Sequence, residues 1–154
     1  MRIVSVLENQ KIEKRIAITP AIAKKYLELG LEVALPQNYA NHLGIKDNIY
    51  TEIGVKIFKE EKEIINSADV IVQLGLPADD KSSLIKENQT LIGILDPYNN
   101  EAKINDLVKK KINILSLELL PRITRAQSMD ILSSQANLAG YKAVLESFAN
   151  FGKA

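Results

Sequence analysis

The chain has 154 residues, of which 46% are hydrophobic and 25% charged, ordinary values for a globular protein with one domain and a single core. Its formal net charge of +1 gives no electrostatic reason to expect nucleic acid or an anionic membrane surface as a partner. The absence of cysteine excludes disulfides and thiolate chemistry, and no apolar run approaches the ~20 residues that span a bilayer. We therefore expect a cytoplasmic protein that does not bind nucleic acid.

Short apolar runs rich in β-branched residues alternate along the chain with segments whose apolar residues recur at helical spacing. The first helix has clear ends, because Thr19 is a competent N-cap, Pro20 suits the first helical position and Gly30 suits the stop. In chain order, the pattern predicts a strand over residues 2–7, a helix from 19–20 to 30, a strand over 31–35, a short helix over 46–53, a strand over 55–58, a helix over 60–66, a strand over 68–74, a helix over 79–86, a strand over 90–95, a helix from 99–100 to 110, a strand over 112–119 and a long helix from Ser128 or Asp130 to Phe151.

This alternation predicts an α/β fold: a mostly parallel sheet with helices on both faces, flavodoxin/Rossmann-like, ending in a long C-terminal helix. In such sheets ligands bind beyond the carboxyl ends of the strands. The segment after Leu120 follows the last predicted strand and is therefore placed at such an end.

One connection is longer and more polar than a link between a strand and a helix needs to be. Such links usually have about 2–6 residues and need only a cap. Here the chain crowds eight polar or charged residues together, which predicts a functional site: Arg122, Arg125, Gln127, Ser128, Asp130, Ser133, Ser134 and Gln135.

Each of these residues also has a purely structural interpretation. Thr124 and Gln127 have the spacing of a capping box, and Asp130 is a plausible N-cap for the last helix. Tyr141 lies on the apolar side of that helix, so core packing is an alternative to cofactor binding. Small residues in the same helix predict close approach to the sheet or to a partner: Ala136, Ala139, Gly140 and Ala143.

Several kinds of site are missing from the sequence. The seven glycines never fall two apart, so there is no Gly-x-Gly-x-x-Gly turn for a dinucleotide, and no Walker-type lysine loop occurs either. With His42 as the single histidine and no cysteine, we expect neither a transition-metal site nor a Ser–His nucleophile. The chain lacks the usual means of holding a dinucleotide by itself.

Residues 121–144, PRITRAQSMDILSSQANLAGYKAV, resemble the alpha subunit of proton-translocating NAD(P) transhydrogenases. Residues 15–20, RIAITP, are similar to a segment shared by transhydrogenases and alanine dehydrogenases, and residues 68–71, ADVI, fit the same pattern. The resemblance therefore extends over the whole chain.

The resemblance implies that residues 1–154 are one domain, the first lobe of the NAD(H)-binding component, without the second lobe that carries Gly-x-Gly-x-x-Gly. It implies NAD(H) bound jointly with that lobe, and hydride transfer to NADP(H) on a partner component, coupled to proton translocation by a membrane component. It also implies a homodimer, peripheral to the inner membrane through its partners. Arg122, Gln127 and Asp130 would be the catalytic residues, and the cofactor-binding set would be Arg122, Arg125, Gln127, Ser128, Asp130, Ser133 and Tyr141, with no metal.

Two alternatives stay open. An alanine dehydrogenase N-terminal domain would use Arg15 for a carboxylate, but Gln73 stands at its lysine position and Asp96 at its histidine position, which makes it the weaker interpretation. A non-catalytic truncated remnant or interaction module is favoured by the missing glycine fingerprint and by Gln73. The sequence leaves open whether a split gene or a truncation produced this chain, and its oligomeric state.

Overall fold

The computed structural model of the chain describes residues 1–152, in which strands and helices alternate strictly. These residues form two compact units, Met1–Ser116 and the residues from Leu117 onward. Three short 3₁₀ turns cover Asn41–Leu43, Leu117–Leu119 and Thr124–Met129. The other elements are β1 (Arg2–Val4), α1 (Pro20–Glu28), β2 (Glu32–Pro36), α2 (Asp47–Glu52), β3 (Lys56–Phe58), α3 (Glu61–Ser67), β4 (Val70–Val72), α4 (Asp79–Ser82), β5 (Thr90–Gly93), α5 (Glu101–Lys109), β6 (Asn113–Ser116) and α6 (Ile131–Asn150).

The six strands of the first unit form one sheet in the order β3-β2-β1-β4-β5-β6, and every neighbouring pair is parallel. This is the strand order of Rossmann-type sheets, in which the direction of winding reverses between β1 and β4. The predicted α/β fold is confirmed, and the sheet is parallel throughout.

Helices cover both faces of this sheet because successive side chains of a strand point to opposite sides. Ile3 of β1 joins a buried cluster that includes Tyr50 of α2. Its neighbour Val4 joins a second buried cluster, with Ile64 of α3 and Leu107 of α5. Apolar runs with no alternation, as in the predicted strands, are what a sheet buried on both faces requires.

β1 and β4 are shorter than predicted because side chains take over the backbone hydrogen bonds at their carboxyl ends. The N–H of Val6 donates to Oε1 of Gln73 at 2.9 Å instead of to a strand. The N–H of Leu74 likewise donates to Oε1 of Glu8 at 2.7 Å. These bonds turn the chain out of the sheet while keeping its buried N–H groups paired.

α1 begins as predicted, since Oγ1 of Thr19 accepts a hydrogen bond from the N–H of Ile22 at 3.3 Å. The prediction of a helix over 79–86 is wrong in its length, since α4 ends at Ser82. The hydroxyls of Ser82 and Ser83 donate to the carbonyls of Asp79 and Asp80 at 3.2 and 2.8 Å, the kind of local bond that competes with helix propagation.

The second unit contains two of the 3₁₀ turns and the 20-residue helix α6. Ile131 is half-buried, and every later residue of α6 is exposed. The alternative of core packing for Tyr141 is therefore wrong within this chain, because 68% of that residue is exposed. A Cβ added at Gly140 would meet no atom of the described residues within 4 Å, so the predicted close approach finds no partner among them.

Candidate functional site

The segment between β6 and α6 encloses a pocket of about 360 Å³ in the second unit. The backbone is extended at Ile123, turns through Thr124–Met129 around the buried Ala126, and is extended again at Asp130 before α6 begins. This path brings four of the seven predicted site residues around one pocket: Arg122, Gln127, Asp130 and Ser133.

Asp130 is the N-cap of α6. Its Oδ1 accepts the backbone N–H of Ser133 at 3.0 Å, and its Oδ2 accepts the Ser133 hydroxyl at 2.6 Å. These bonds, with a smaller contribution from the positive charge of Arg122, lower the pKa of the Asp130 carboxyl below its ordinary value. At neutral pH Asp130 is therefore an anion that accepts hydrogen bonds and has no proton to give.

The side chains of Arg122 and Gln127 form no hydrogen bond or ion pair with any residue of the range 1–152. Both line the pocket with their polar groups unengaged. A guanidinium is a pure donor, and a carboxamide both donates and accepts. Together with the Asp130 carboxylate they can bind a ligand group that carries donors and acceptors side by side.

The capping box expected at Thr124 and Gln127 is wrong. The turn Thr124–Met129 begins after Ile123 and has no side-chain cap. Gln127 is thereby left without the structural role that its spacing indicated.

The pocket also has an apolar wall, which was not predicted from the sequence: Leu120, Pro121, Ile123 and Ala126. Ile123 is 54% exposed although it belongs to a compact turn. An exposed isoleucine between two arginines was the available signal. A wall of this kind suits the face of a flat apolar ring, with the polar groups placed at its rim.

The remaining predicted residues lie away from this pocket. Ser128 lines a smaller recess of about 160 Å³, which it shares with Asp130. Arg125 is exposed on the 3₁₀ turn and lines neither recess. Tyr141 is exposed on α6 and also lines neither.

In the first unit, the residues of the dehydrogenase alternative have structural roles. The guanidinium of Arg15 pairs with the Glu13 carboxylate at 2.6 Å. Gln73 is buried and accepts the Ser5 hydroxyl at 2.8 Å. Asp96 has a φ of +47° and accepts from the side-chain amide of Asn99 at 2.8 Å, as a turn residue does.

His42 is exposed in a loop, where its Nε2 lies 2.8 Å from the carbonyl oxygen of Lys14. Within residues 1–152 no three histidine or carboxylate side chains are grouped closely enough to hold a metal ion. In the same part of the chain no helix is both long and apolar enough to cross a membrane.

The comparisons with known proteins agree with this arrangement. The family model described as "Alanine dehydrogenase/PNT, N-terminal domain" matches residues 5–139. An NAD(P) transhydrogenase alpha subunit of Rickettsia prowazekii is 39% identical over 158 residues, covering 100% of this chain and 41% of its own length. The corresponding alpha subunit of Rhodospirillum rubrum is 40% identical over 159 residues, with the same coverage.

Among solved structures, a transhydrogenase from Sinorhizobium meliloti matches with a TM-score of 0.87 and 35% identity over 99% of this chain and 46% of that one. An alanine dehydrogenase from Methanococcus maripaludis is less similar, at 27% identity over 86% of this chain. The chain thus spans less than half the length of the curated relatives it matches. The predicted resemblance is confirmed, and the chain belongs to the alanine dehydrogenase/PNT N-terminal domain family.

Proposed function

We propose that residues 1–154 are the first lobe of the NAD(H)-binding component of a proton-translocating NAD(P) transhydrogenase. In this role the chain contributes the nicotinamide-side segment for hydride transfer between NAD(H) and NADP(H). One observation carries the proposal: Arg122, Gln127, Asp130 and Ser133 converge on one pocket, in a chain whose full length aligns with transhydrogenase alpha subunits.

The groups around the pocket fit the nicotinamide end of the cofactor. A carboxamide carries an acceptor oxygen beside N–H donors, so Arg122 can donate to it, Asp130 can accept from it and Gln127 can do both. The apolar wall fits the ring. Arg125, Ser128 and Tyr141 are proposed as further contacts of the same cofactor.

Bound nicotinamide supplies the hydride, and the chain supplies orientation and exclusion of water. Direct transfer between two rings needs the reacting carbons about 3–3.5 Å apart, and it exchanges no proton at those carbons. An arginine, an amide and a carboxylate held ionised are sufficient for that task, since no general acid or base is required.

The proposal includes partners. We propose a second lobe that holds the rest of NAD(H), an NADP(H)-binding component, a membrane component that translocates protons, and a homodimer located in the cytoplasm at the inner membrane. Support comes from the share of the relatives' length that the chain spans, 41%, and from the exposure of α6, whose large apolar side chains need a cover. The absence of a glycine-rich turn supports the need for the second lobe.

The test is reconstitution with the full chain. The remaining segment of the Rhodospirillum rubrum relative and the NADP(H) component of that organism would be added, and deuterium transfer from the C4 position of NADH to NADP⁺ would be followed by mass spectrometry. We expect transfer with both additions, and an approximately 100-fold loss in Arg122→Ala and Gln127→Ala, since misplacing a ring by about 1 Å has an effect of that order. Lys24→Ala, which removes an exposed charge on α1, is the control.

Calorimetric titration of NADH into the chain alone belongs to the same test, and we expect no micromolar binding. The alternative, a non-catalytic remnant or interaction module, predicts no deuterium transfer with every component present. Rescue by the added lobe excludes that alternative, whereas micromolar binding by the chain alone contradicts the need for a second lobe.

A further inference from the structure

A second cleft, of about 450 Å³, lies in the first unit at the carboxyl ends of β1 and β4. This is the topological switch point of the sheet, because β2 and β3 lie on one side of it and β5 and β6 on the other. Open α/β sheets bind their ligands at such points, since the connections diverge there and leave a crevice. The cleft therefore has the position of a ligand site, and it is distinct from the pocket before α6.

The charges around this cleft oppose a nucleotide. No glycine-rich turn follows β1, and the acidic side chains lining the cleft are Glu8, Glu13 and Asp80. Lys81 also lines it, but its ammonium pairs with Glu61 at 2.9 Å and donates to the carbonyl of Leu7 at 2.7 Å. The lysine charge is thereby neutralised locally, and a phosphate would meet carboxylates.

Glu8 is the acidic group whose charge is not compensated. Glu13 is paired with Arg15, but no lysine or arginine of residues 1–152 forms a salt bridge with Glu8. Its Oε1 accepts from the N–H of Leu74 at 2.7 Å and from Nε2 of Gln73 at 3.1 Å, which are both neutral donors.

A carboxylate can accept about four hydrogen bonds, so with a third bond from the backbone of Gly75 there is room for a ligand donor. Burial raises the pKa of Glu8, the sign of a desolvated carboxylate that lacks a counter-charge. A cation that enters the cleft meets this carboxylate in a partly dry setting, where charge pairing is stronger than in water.

Apolar side chains form the rest of the cleft: Leu7, Ile12, Leu76, Pro77 and Ala78. Ile12 belongs to the loop after β1 and is 84% exposed, an unusual setting for a large aliphatic side chain in a loop. An apolar group on the ligand would cover it.

We propose that the switch-point cleft binds a small organic cation, a primary ammonium that carries a short branched alkyl group, with Glu8 as its counter-ion. The ammonium donates to the Glu8 carboxylate and the alkyl group contacts Ile12 and Leu76. The site goes beyond the proposed transhydrogenase function and requires neither the second lobe nor a dinucleotide.

The test uses the labelled full chain and isobutylammonium chloride as the probe, followed by NMR. We expect saturable shifts of the Glu8 carboxyl carbon and of the amides of Gln73 and Ile12. Isobutanol has the same alkyl group without the charge, and valine adds a carboxylate that would face Glu13 and Asp80. Both are expected to bind at least tenfold more weakly.

Glu8→Gln should weaken binding of isobutylammonium at least tenfold, whereas the matched variant Glu28→Gln, on the exposed surface of α1, should not change it. If Glu8→Gln does not fold, Ala78→Phe serves instead, because it fills the cleft and leaves Glu8 in place. Shifts that do not saturate, equal binding of isobutanol, or binding retained in whichever variant folds would overturn the proposal. Since NADH takes no part, a negative result here leaves the reconstitution test unaffected.

Discussion

At the scale of single residues, Asp130 combines a structural and a proposed functional role. It begins α6 by accepting two hydrogen bonds from Ser133, and it also lines the pocket with Arg122 and Gln127. The same bonds that cap the helix keep the carboxylate ionised. Substitutions can separate the two roles, because asparagine is also a good N-cap but carries no charge.

We predict that Asp130→Asn keeps the start of α6 and that Asp130→Ala loses it. Chemical shifts of residues 131–134 measure the helix, and the reconstituted hydride transfer measures the site. Both variants should reduce transfer if the charge contacts the cofactor. Full transfer in Asp130→Asn would assign Asp130 to capping alone.

The cap should also depend on pH. The folded pKa of Asp130 is lowered, so its stabilising effect is present above the ordinary value of 3.8 and is lost as the pH falls through the lowered folded value. Ser133→Ala should move the Asp130 pKa back toward 3.8, because its hydroxyl bond is the largest cause of the shift. Carboxyl NMR titration checks this, and an unchanged pKa in Ser133→Ala would contradict it.

Glu32 at the start of β2 provides a second pH prediction. Its carboxylate bonds to Lys56 and Arg2, each at 2.8 Å, and these contacts lower its pKa from 4.5 to about 2. Stability from this group should be complete above 4.5 and disappear as the pH falls toward 2. Carboxyl NMR titration of Glu32 should give a value near 2 in the native chain and a higher one in Lys56→Ala.

At the scale of elements, the short strands are held in register by side chains at their ends and by close backbone contacts. Gly93 ends β5, and a Cβ added there would lie 2.4 Å from the carbonyl oxygen of Gln73. The neighbouring N–H of Gln73 donates to the carbonyl of Ile92 at 2.9 Å, so the two backbones cannot separate without losing a bond. Glycine is therefore required by this approach of β4 and β5.

We predict that Gly93→Ala destabilises the chain by about 1–3 kcal/mol, the usual effect of overpacking. Gly140→Ala is the matched control in α6, where the added methyl meets nothing within 4 Å and helix propensity favours alanine by about 1 kcal/mol. Urea unfolding followed by circular dichroism measures both. Equal midpoints for Gly93→Ala and the native chain would contradict the close contact.

At the scale of the whole molecule, burial is unevenly distributed between the two units. Among the described residues, the buried hydrophobic side chains belong to Met1–Ser116, with Ala126 as the exception. α6 carries exposed large apolar residues that a solitary helix in water would not favour: Leu132, Leu138, Tyr141, Val144, Leu145 and Phe148. A helix that is apolar on most of its surface is normally buried.

We predict that amides of α6 exchange with solvent at least roughly 100-fold faster than those of β1 and β2, because local opening there exposes little further apolar surface. Hydrogen exchange followed by mass spectrometry checks this on the full chain. Addition of the proposed second lobe should slow exchange in α6. Protection of α6 equal to that of β1 in the isolated chain would contradict the prediction.

Local patterns were sufficient for the class of fold and for the place of the site. The alternation of apolar runs with helical spacing predicted every strand and helix, and the cap at Thr19 formed as expected. Lengths were less predictable: α4 is short because Ser82 and Ser83 bond to backbone carbonyls, and β1 and β4 end early because side chains bind their N–H groups. Such competition depends on which groups tertiary contacts bring near.

The sequence by itself determined the α/β class, the family resemblance and the polar segment at 121–144, because all three are properties of neighbouring residues. Only the tertiary structure decided the strand order, the contact of Gln73 with Val6 across 67 positions, and which polar residues share the pocket. It left Arg122 and Gln127 unengaged while Asp130 became a cap, and it opened the cleft beside Glu8. Contacts between distant residues follow from the pairing of parallel strands, and no local pattern in the chain specifies that pairing.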